Sequence, residues 1–210
     1  MHHAHSWDER YAASPHLFSH EPDAAMVELV APLSPGRAAD LGAGEGRNSL
    51  WLARHGWQVT AVDASQVALG RLRSAAEGDG LPITPAVADI HEFLGRGERF
   101  ELVLMANVHP AAEERGALLA GAARAVSPGG HLLVVGHHRD SLGRVGPLDL
   151  GRLYTEETLS SEIPGLDILL LERRERTHGG DTGEPVVDLI LWAQAPPATL
   201  SRHGAEHPGT

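Results

Sequence analysis

The sequence predicts an α/β fold: a doubly wound, mostly parallel Rossmann-like sheet of seven strands, the last one antiparallel, with helices on both faces. Three observations predict it. Short apolar strand patterns alternate five times with helical patterns, which favours right-handed β-α-β units. Two of these strand segments, "FELVLMANV" (100–108) and "HLLVVGHH" (131–138), are near-continuous apolar runs, the mark of strands covered on both faces. The chain then closes on two longer strand patterns, "LDILLLERRERT" and "PVVDLILWAQA", flanking the turn-rich "HGGDTGE", which reads as an antiparallel hairpin.

Taken in order, "RAADLGA" is the first strand and ends at the glycines of "DLGAGEGRN". "RNSLWLARHG" follows as a helix, with Leu50, Trp51 and Ala53 on one side and Gly56 as its stop. "QVTAVDAS" is the second strand, and "SQVALGRLRSAAE" is a helix opened by Ser65 as N-cap. "ITPAVADI" is the third strand, and Pro85, which lacks an amide hydrogen, keeps it from the sheet's centre. "AAEERGALLAGAARAVSPGG" reads as a long helix ended by Pro-Gly-Gly, and "TEETLSSEI" as a short one before the hairpin. The expected organisation is a helical lid segment over 1–30, one domain over 31–195 and a disordered tail over 196–210, rich in Pro, Gly and small polar residues.

Composition narrows the chemistry. The 210 residues suffice for one domain burying roughly 70% of its unfolded surface. With 28 acidic against 17 basic residues the formal charge is -11, which argues against nucleic-acid phosphates or an anionic membrane as partner. There is no cysteine, so disulfides, thiolate metal sites and cysteine nucleophiles are excluded. There is no lysine either, which removes Schiff-base chemistry and the lysine of phosphate-binding loops. No run reaches the ~18 apolar residues of a membrane helix, and the histidine-dense "MHHAH" start is not a signal peptide. A cytoplasmic protein, monomer or homodimer, is expected.

The glycine loop at the first strand's end asks for a nucleotide-like ligand. A dinucleotide site has the spacing G-x-G-x-x-G and rests a pyrophosphate on the next helix. Here Gly42, Gly44 and Gly46 give G-x-G-x-G, and Glu45 sits inside the loop, where a pyrophosphate would meet a carboxylate. S-adenosylmethionine carries a sulfonium and an ammonium and no phosphate, so an acidic loop suits it, and glycines still let the backbone approach. Asp63 closes the second strand about 20 residues on, where a carboxylate can take both ribose hydroxyls. Asp89 closes the third, where it can accept the adenine amino group while Ile90 covers the ring. Each aspartate alone also reads as a helix cap or turn residue; the glycine loop and the two aspartates, in register at three successive strand ends, are a stronger signal.

The segments "AADLGAGEGRNSLWLARHGWQVTAVDAS", "VADI", "FELVLMANVHP" and "LSPGGHLLVVG" resemble the ordered motifs of class I S-adenosylmethionine-dependent methyltransferases, over roughly residues 7–195. "GEGRNSLWLA" and the leading "WDERY" are most similar to the tellurite-resistance and thiopurine-methyltransferase-like group. The resemblance implies a cofactor site of Asp40, Gly42, Ala43, Gly44, Asp63, Ala64, Asp89, Ile90 and Asn107, with Trp7 helping to cover the cofactor. Gly42 and Gly44 would face the methionine part. The tellurite-resistance group carries a His-Arg pair before its last hairpin; Arg176-Thr177-His178 stands here in a different order.

Methyl transfer needs an aligned acceptor, a dry site and, for a hydroxyl or protonated amine, a base. Soft sulfur, selenium or tellurium nucleophiles need none. The candidates at the right strand ends are His109, His137 and His138, with Tyr11, His16 and His20 from the leading segment, and His109 beside Asn107 is the first choice as catalytic residue. A metal site from His137, His138 and Asp140 is disfavoured because neighbours on a strand point to opposite faces. The expected activity is methylation of a small-molecule acceptor. The alternatives are a non-catalytic S-adenosylmethionine-binding module and an NAD-type oxidoreductase.

Overall fold

In the computed structural model, which describes residues 2–177 and 185–198, seven strands form one sheet in the order β3-β2-β1-β4-β5-β7-β6. The parallel strands are β1 (Arg37–Leu41), β2 (Gln58–Asp63), β3 (Ile83–Val87), β4 (Phe100–Ala106) and β5 (Val126–His137). The hairpin strands are β6 (Asp167–Thr177) and β7 (Pro185–Gln194). β7 runs antiparallel to both its neighbours, entering between β5 and β6 and leaving β6 outermost. β3 forms the opposite edge, as Pro85 requires, since nothing asks for its missing amide there. The expected turn at 178–184 and the tail from 199 onward lie outside the described residues.

The central strands are buried on both faces because they are apolar at both parities. One face carries Val103, Met105, Leu132, Val134 and Leu191. They pack on α5 (Ile90–Leu94), α6 (Ala112–Arg124) and α7 (Glu156–Ser161), chiefly through Phe93, Leu119 and Leu159. The other face carries Leu102, Leu104, Leu133, Val135 and Ile190. It packs on α2 (Ala24–Val30) and α3 (Arg47–Arg54), while α4 (Gln66–Asp79) covers β2 and β3 through Leu69 and Leu72. In α3 the buried residues are Asn48, Ser49, Leu52 and Ala53, so of the expected Leu50, Trp51 and Ala53 cluster only Ala53 is fully buried, while Leu50 and Trp51 are half-buried.

Local signals explain the element ends. Ser65 caps α4, its side chain accepting from the Ala68 amide, and Gly80 ends that helix in the left-handed region. Thr155 and Thr158 form a reciprocal capping box on α7. Two elements differ from the sequence reading. The helix read through "AVSPGG" ends at Arg124, because Val126 already pairs with Phe100 and its side chain belongs in the core. The five-residue α5, unread in the sequence, is started by Asp89, whose Oδ1 accepts from the His91 and Glu92 amides.

Ahead of the sheet stand α1 (His2–Ala12) and an irregular stretch leading into α2. α2 is part of the core through Ala25, Met26 and Val30. α1 instead lies on α4: Asp8 Oδ1 accepts from Ser65 Oγ at 2.6 Å and from the Val67 amide at 3.1 Å. No helix among the described residues is long and apolar enough to cross a membrane.

Candidate active site

The strand order reverses between β1 and β4, and in open α/β sheets the crevice outside the carboxyl ends at that point holds the ligand. The glycine loop opens there. Gly46 is the N-cap of α3 with φ of 85°, and a Cβ added to it would lie 2.2 Å from Leu72 Cδ1, so no other residue fits.

The loop's amides are already engaged. Those of Gly42 and Ala43 both donate to the Val62 carbonyl, and that of Gly46 to the Ala43 carbonyl. The Gly44 amide donates to Asp63 Oδ2 at 2.9 Å, while Asp63 Oδ1 accepts from the Ser65 amide at 2.8 Å. Where a dinucleotide fold aims amides at a pyrophosphate, this loop aims none of these four. At the N-terminus of α3 the anion present is Asp40, whose Oδ2 accepts from Ser49 Oγ at 2.7 Å.

The charges around the loop are acidic and partly buried. Burial pushes the Asp40 carboxyl up to about 6, against the opposing Ser49 hydrogen bond and Arg47 charge. Burial also raises Asp63, offset in part by the Ser65 and Gly44 amides and reinforced by Asp8. Glu45 behaves differently: burial works against its ionisation, but Arg71 at 2.6 Å and the Leu17 amide at 3.1 Å outweigh it and lower its pKa. Arg71 also donates to the Tyr11 carbonyl at 2.8 Å, so one guanidinium clamps the loop, α4 and the leading segment together.

The expected cofactor residues fall into two groups. Around Gly44 stand Asp63 and Tyr11, and a Cβ on Gly44 would lie 2.7 Å from Tyr11 Oη. Tyr11 is buried, and burial together with the Asp63 and Glu45 charges raises its hydroxyl above the ordinary tyrosine range. Around Gly42 stand Val108 and Ile90, with a Cβ there 2.5 Å from Val108 Cγ2 and 3.9 Å from Ile90 Cδ1. Ala43 packs against the Ala61–Leu69–Leu72 cluster, and Ala64 lies half-exposed beside Asp63. Asp89 keeps Oδ2 clear of its capping bonds. Asn107 holds φ of 61° at the end of β4, its amide bonded to the Val135 carbonyl at 2.7 Å. Asp40 is 1% exposed, beneath the loop rather than on its surface. Trp7 is one helical turn from Tyr11, its ring 6.1 Å from the tyrosine's, with the Arg10 guanidinium 4.3 Å from its centroid.

The histidines at the strand ends separate sharply. His109 Nε2 accepts from the His137 amide at 2.9 Å, and a hydrogen bond with the Asn107 backbone engages the ring again. Burial, with His137 adding, lowers its pKa to about 3. The catalytic-base role expected of His109 therefore does not fit this geometry, because its acceptor nitrogen is already used and the ring stays neutral. His137 stacks on it at 4.7 Å and donates Nδ1–H to Asp188 Oδ1 at 2.7 Å, while Arg176 Nε holds Asp188 Oδ2. His138 points the other way, towards Asp140 and Glu156, so the pair does not converge. His16 and His20 pack edge-to-face on each other at 4.2 Å. His178 lies outside the described residues.

Sequence reasoning missed Asp188 as the partner of His137. A lone aspartate inside the apolar "PVVDLILW" was the available signal. Val108 and the Glu45–Arg71 clamp left no such sign, since each depends on a distant partner.

Residues 38–130 match the family model of a methyltransferase domain. Over 66 residues the chain is 36% identical to a probable S-adenosyl-L-methionine-dependent methyltransferase TehB of Haemophilus influenzae, covering 31% of this chain and 23% of that protein. The chain spans about a quarter of the length of the first curated relatives it matches. Among solved structures, TehB of Haemophilus influenzae superposes with a TM-score of 0.74 at 20% identity, over 90% of this chain and 67% of that one. A 1,6-didemethyltoxoflavin-N1-methyltransferase of Burkholderia thailandensis, solved with 1,6-didemethyltoxoflavin and S-adenosylhomocysteine, superposes with a TM-score of 0.70 at 21% identity, over 92% and 87%. The fold is thus that of class I methyltransferases, and the resemblance to S-adenosylmethionine-dependent enzymes of the TehB kind holds.

Proposed function

We propose that this chain is an S-adenosyl-L-methionine-dependent methyltransferase acting on a small-molecule acceptor. The observation that carries the reading is the glycine loop, with four amides satisfied internally and the carboxylates Asp40 and Asp63 set around it. Such a loop suits a nucleoside that is cationic and carries no phosphate. The bound S-adenosylhomocysteine and 1,6-didemethyltoxoflavin named for the Burkholderia structure support the cofactor and a small-molecule acceptor alike. The alternative of an NAD-type oxidoreductase loses its phosphate site for the same reason.

When bound, S-adenosylmethionine supplies an activated methyl group. Asp63 would take the ribose hydroxyls, Asp89 the adenine amino group, and Ile90 the ring face, with Gly42 and Gly44 beside the methionine part. Tyr11 and Trp7, on the leading segment, would close the site against water. His109 positions the end of β4 and the His137 backbone, and does not take a proton. The acceptor nucleophile is sulfur, selenium, tellurium, oxygen or nitrogen. A product screen with labelled methyl donor against thiols, chalcogen oxyanions, phenols and amines tests the activity. Transfer to at least one small molecule is expected; none, together with no binding of the donor, refutes the reading.

A further inference from the structure

We propose that His137, oriented by Asp188 and Arg176, is the proton acceptor for the transfer, and that the acceptor is a small hydroxyl compound of the phenol type. This rests on the methyltransferase reading above. The hydrogen bond from Nδ1–H to Asp188 fixes the tautomer and leaves the lone pair on Nε2. Among the described residues no hydrogen bond is made to Nε2, and it is not a sealed, unsatisfied atom. His109 has no such nitrogen to offer.

Position agrees. His137 ends β5 and stacks on His109, which follows Val108, the residue against Gly42. The imidazole is therefore two contacts from the methionine end of the cradle. A Cβ on Gly146 would lie 2.4 Å from His137 Cδ2 and 3.3 Å from Nε2, so the loop after β5 roofs this nitrogen. That loop also exposes Leu142, Leu148 and Leu150, a rim suited to an apolar acceptor body.

The carboxylate that holds the ring is itself kept ionised. Burial opposes ionisation of Asp188, but the bonds from His137 and Arg176 outweigh it and hold the carboxylate charged. His109 stacks on the ring, and Arg152 donates to the His109 carbonyl at 2.9 Å. As the acceptor oxygen forms its bond to the methyl carbon, the carbon–sulfur electron pair passes to sulfur and the hydroxyl proton passes to Nε2. Water takes that proton after product leaves.

The test uses the full chain with catechol, 2-mercaptoethanol and selenite as acceptors and labelled methyl donor. Wild type is expected to methylate catechol. His137→Gln should lower kcat by about 100- to 10,000-fold with KM little changed. Binding of the donor within about twofold of wild type reports a folded site. Nitrogen NMR of the histidines gives a readout free of turnover: wild-type His137 should carry its proton on Nδ1, and Asp188→Asn should shift the population towards Nε2–H. Methylation confined to the thiol or selenite, a His137→Gln rate within a few-fold of wild type, or an Nε2–H tautomer in wild type overturns the inference while leaving the methyltransferase reading standing. If donor binding itself is absent in wild type, the earlier reading fails instead.

Discussion

Asp63 and Gly44 are joined by a 2.9 Å hydrogen bond, from the glycine amide to Oδ2, so the end of the second strand holds the middle of the glycine loop. The same carboxylate holds the Ser65 amide through Oδ1, and Ser65 caps α4. One side chain thus shapes the loop and holds the residue that caps α4. Asp63→Ala should weaken donor binding by about 10- to 100-fold and cost roughly 1–3 kcal/mol of stability for the stranded amides. Calorimetry with the variant and urea unfolding measure the two effects. Unchanged binding in a destabilised variant would confine Asp63 to architecture.

Asp40 makes stability depend on pH. Its folded pKa of about 6 lies above the ordinary aspartate value of 3.8, so the native state holds a proton that the unfolded state releases. Stability contributed by this group is full below the unfolded value and declines as pH rises towards 6, levelling off above it. Asp40→Asn should flatten that decline and, at pH 8, raise stability by up to about 3 kcal/mol. Urea midpoints across pH 4–8 check it. An Asp40→Asn profile parallel to wild type would show that the buried carboxyl does not titrate in this window.

His109 is expected to stay neutral throughout the working range, since burial holds its pKa near 3. His109→Asn should lower turnover only a few-fold and leave the pH–rate profile in place, while His109→Ala should cost about 1–3 kcal/mol by stranding the His137 amide. A loss of several hundredfold in His109→Asn with the neutral limb gone would restore His109 as the base.

The leading segment is held to α4 by Asp8 and the Tyr11 carbonyl and to the glycine loop by the Leu17 amide, all ahead of the core helix α2. Deleting residues 1–20 should therefore leave the sheet and both faces folded, with impaired turnover. Circular dichroism and the labelled-methyl assay on the truncated chain decide it. Turnover equal to the full chain would remove the lid role.

Much of this was legible before folding. The two-sided burial of β4 and β5 followed from apolar residues at both parities, and Pro85 announced an edge strand. The placement of Gly42, Gly44, Asp63 and Asp89 at successive strand ends was legible too, because local strand geometry sets it. Less legible were features built by residues far apart. The stack of His109 on His137 and the Asp188–Arg176 pair join four segments, and no periodicity reports which histidine keeps its lone pair. Likewise, Tyr11 and not Trp7 lies over Gly44, a choice made by how α1 lands on α4.

The most direct test is titration calorimetry of the full chain with S-adenosylmethionine, S-adenosylhomocysteine and NAD. A loop whose amides are engaged by Val62, Ala43 and Asp63 should take the two phosphate-free nucleosides and show no heat with NAD. Binding of NAD with none of S-adenosylmethionine would contradict it.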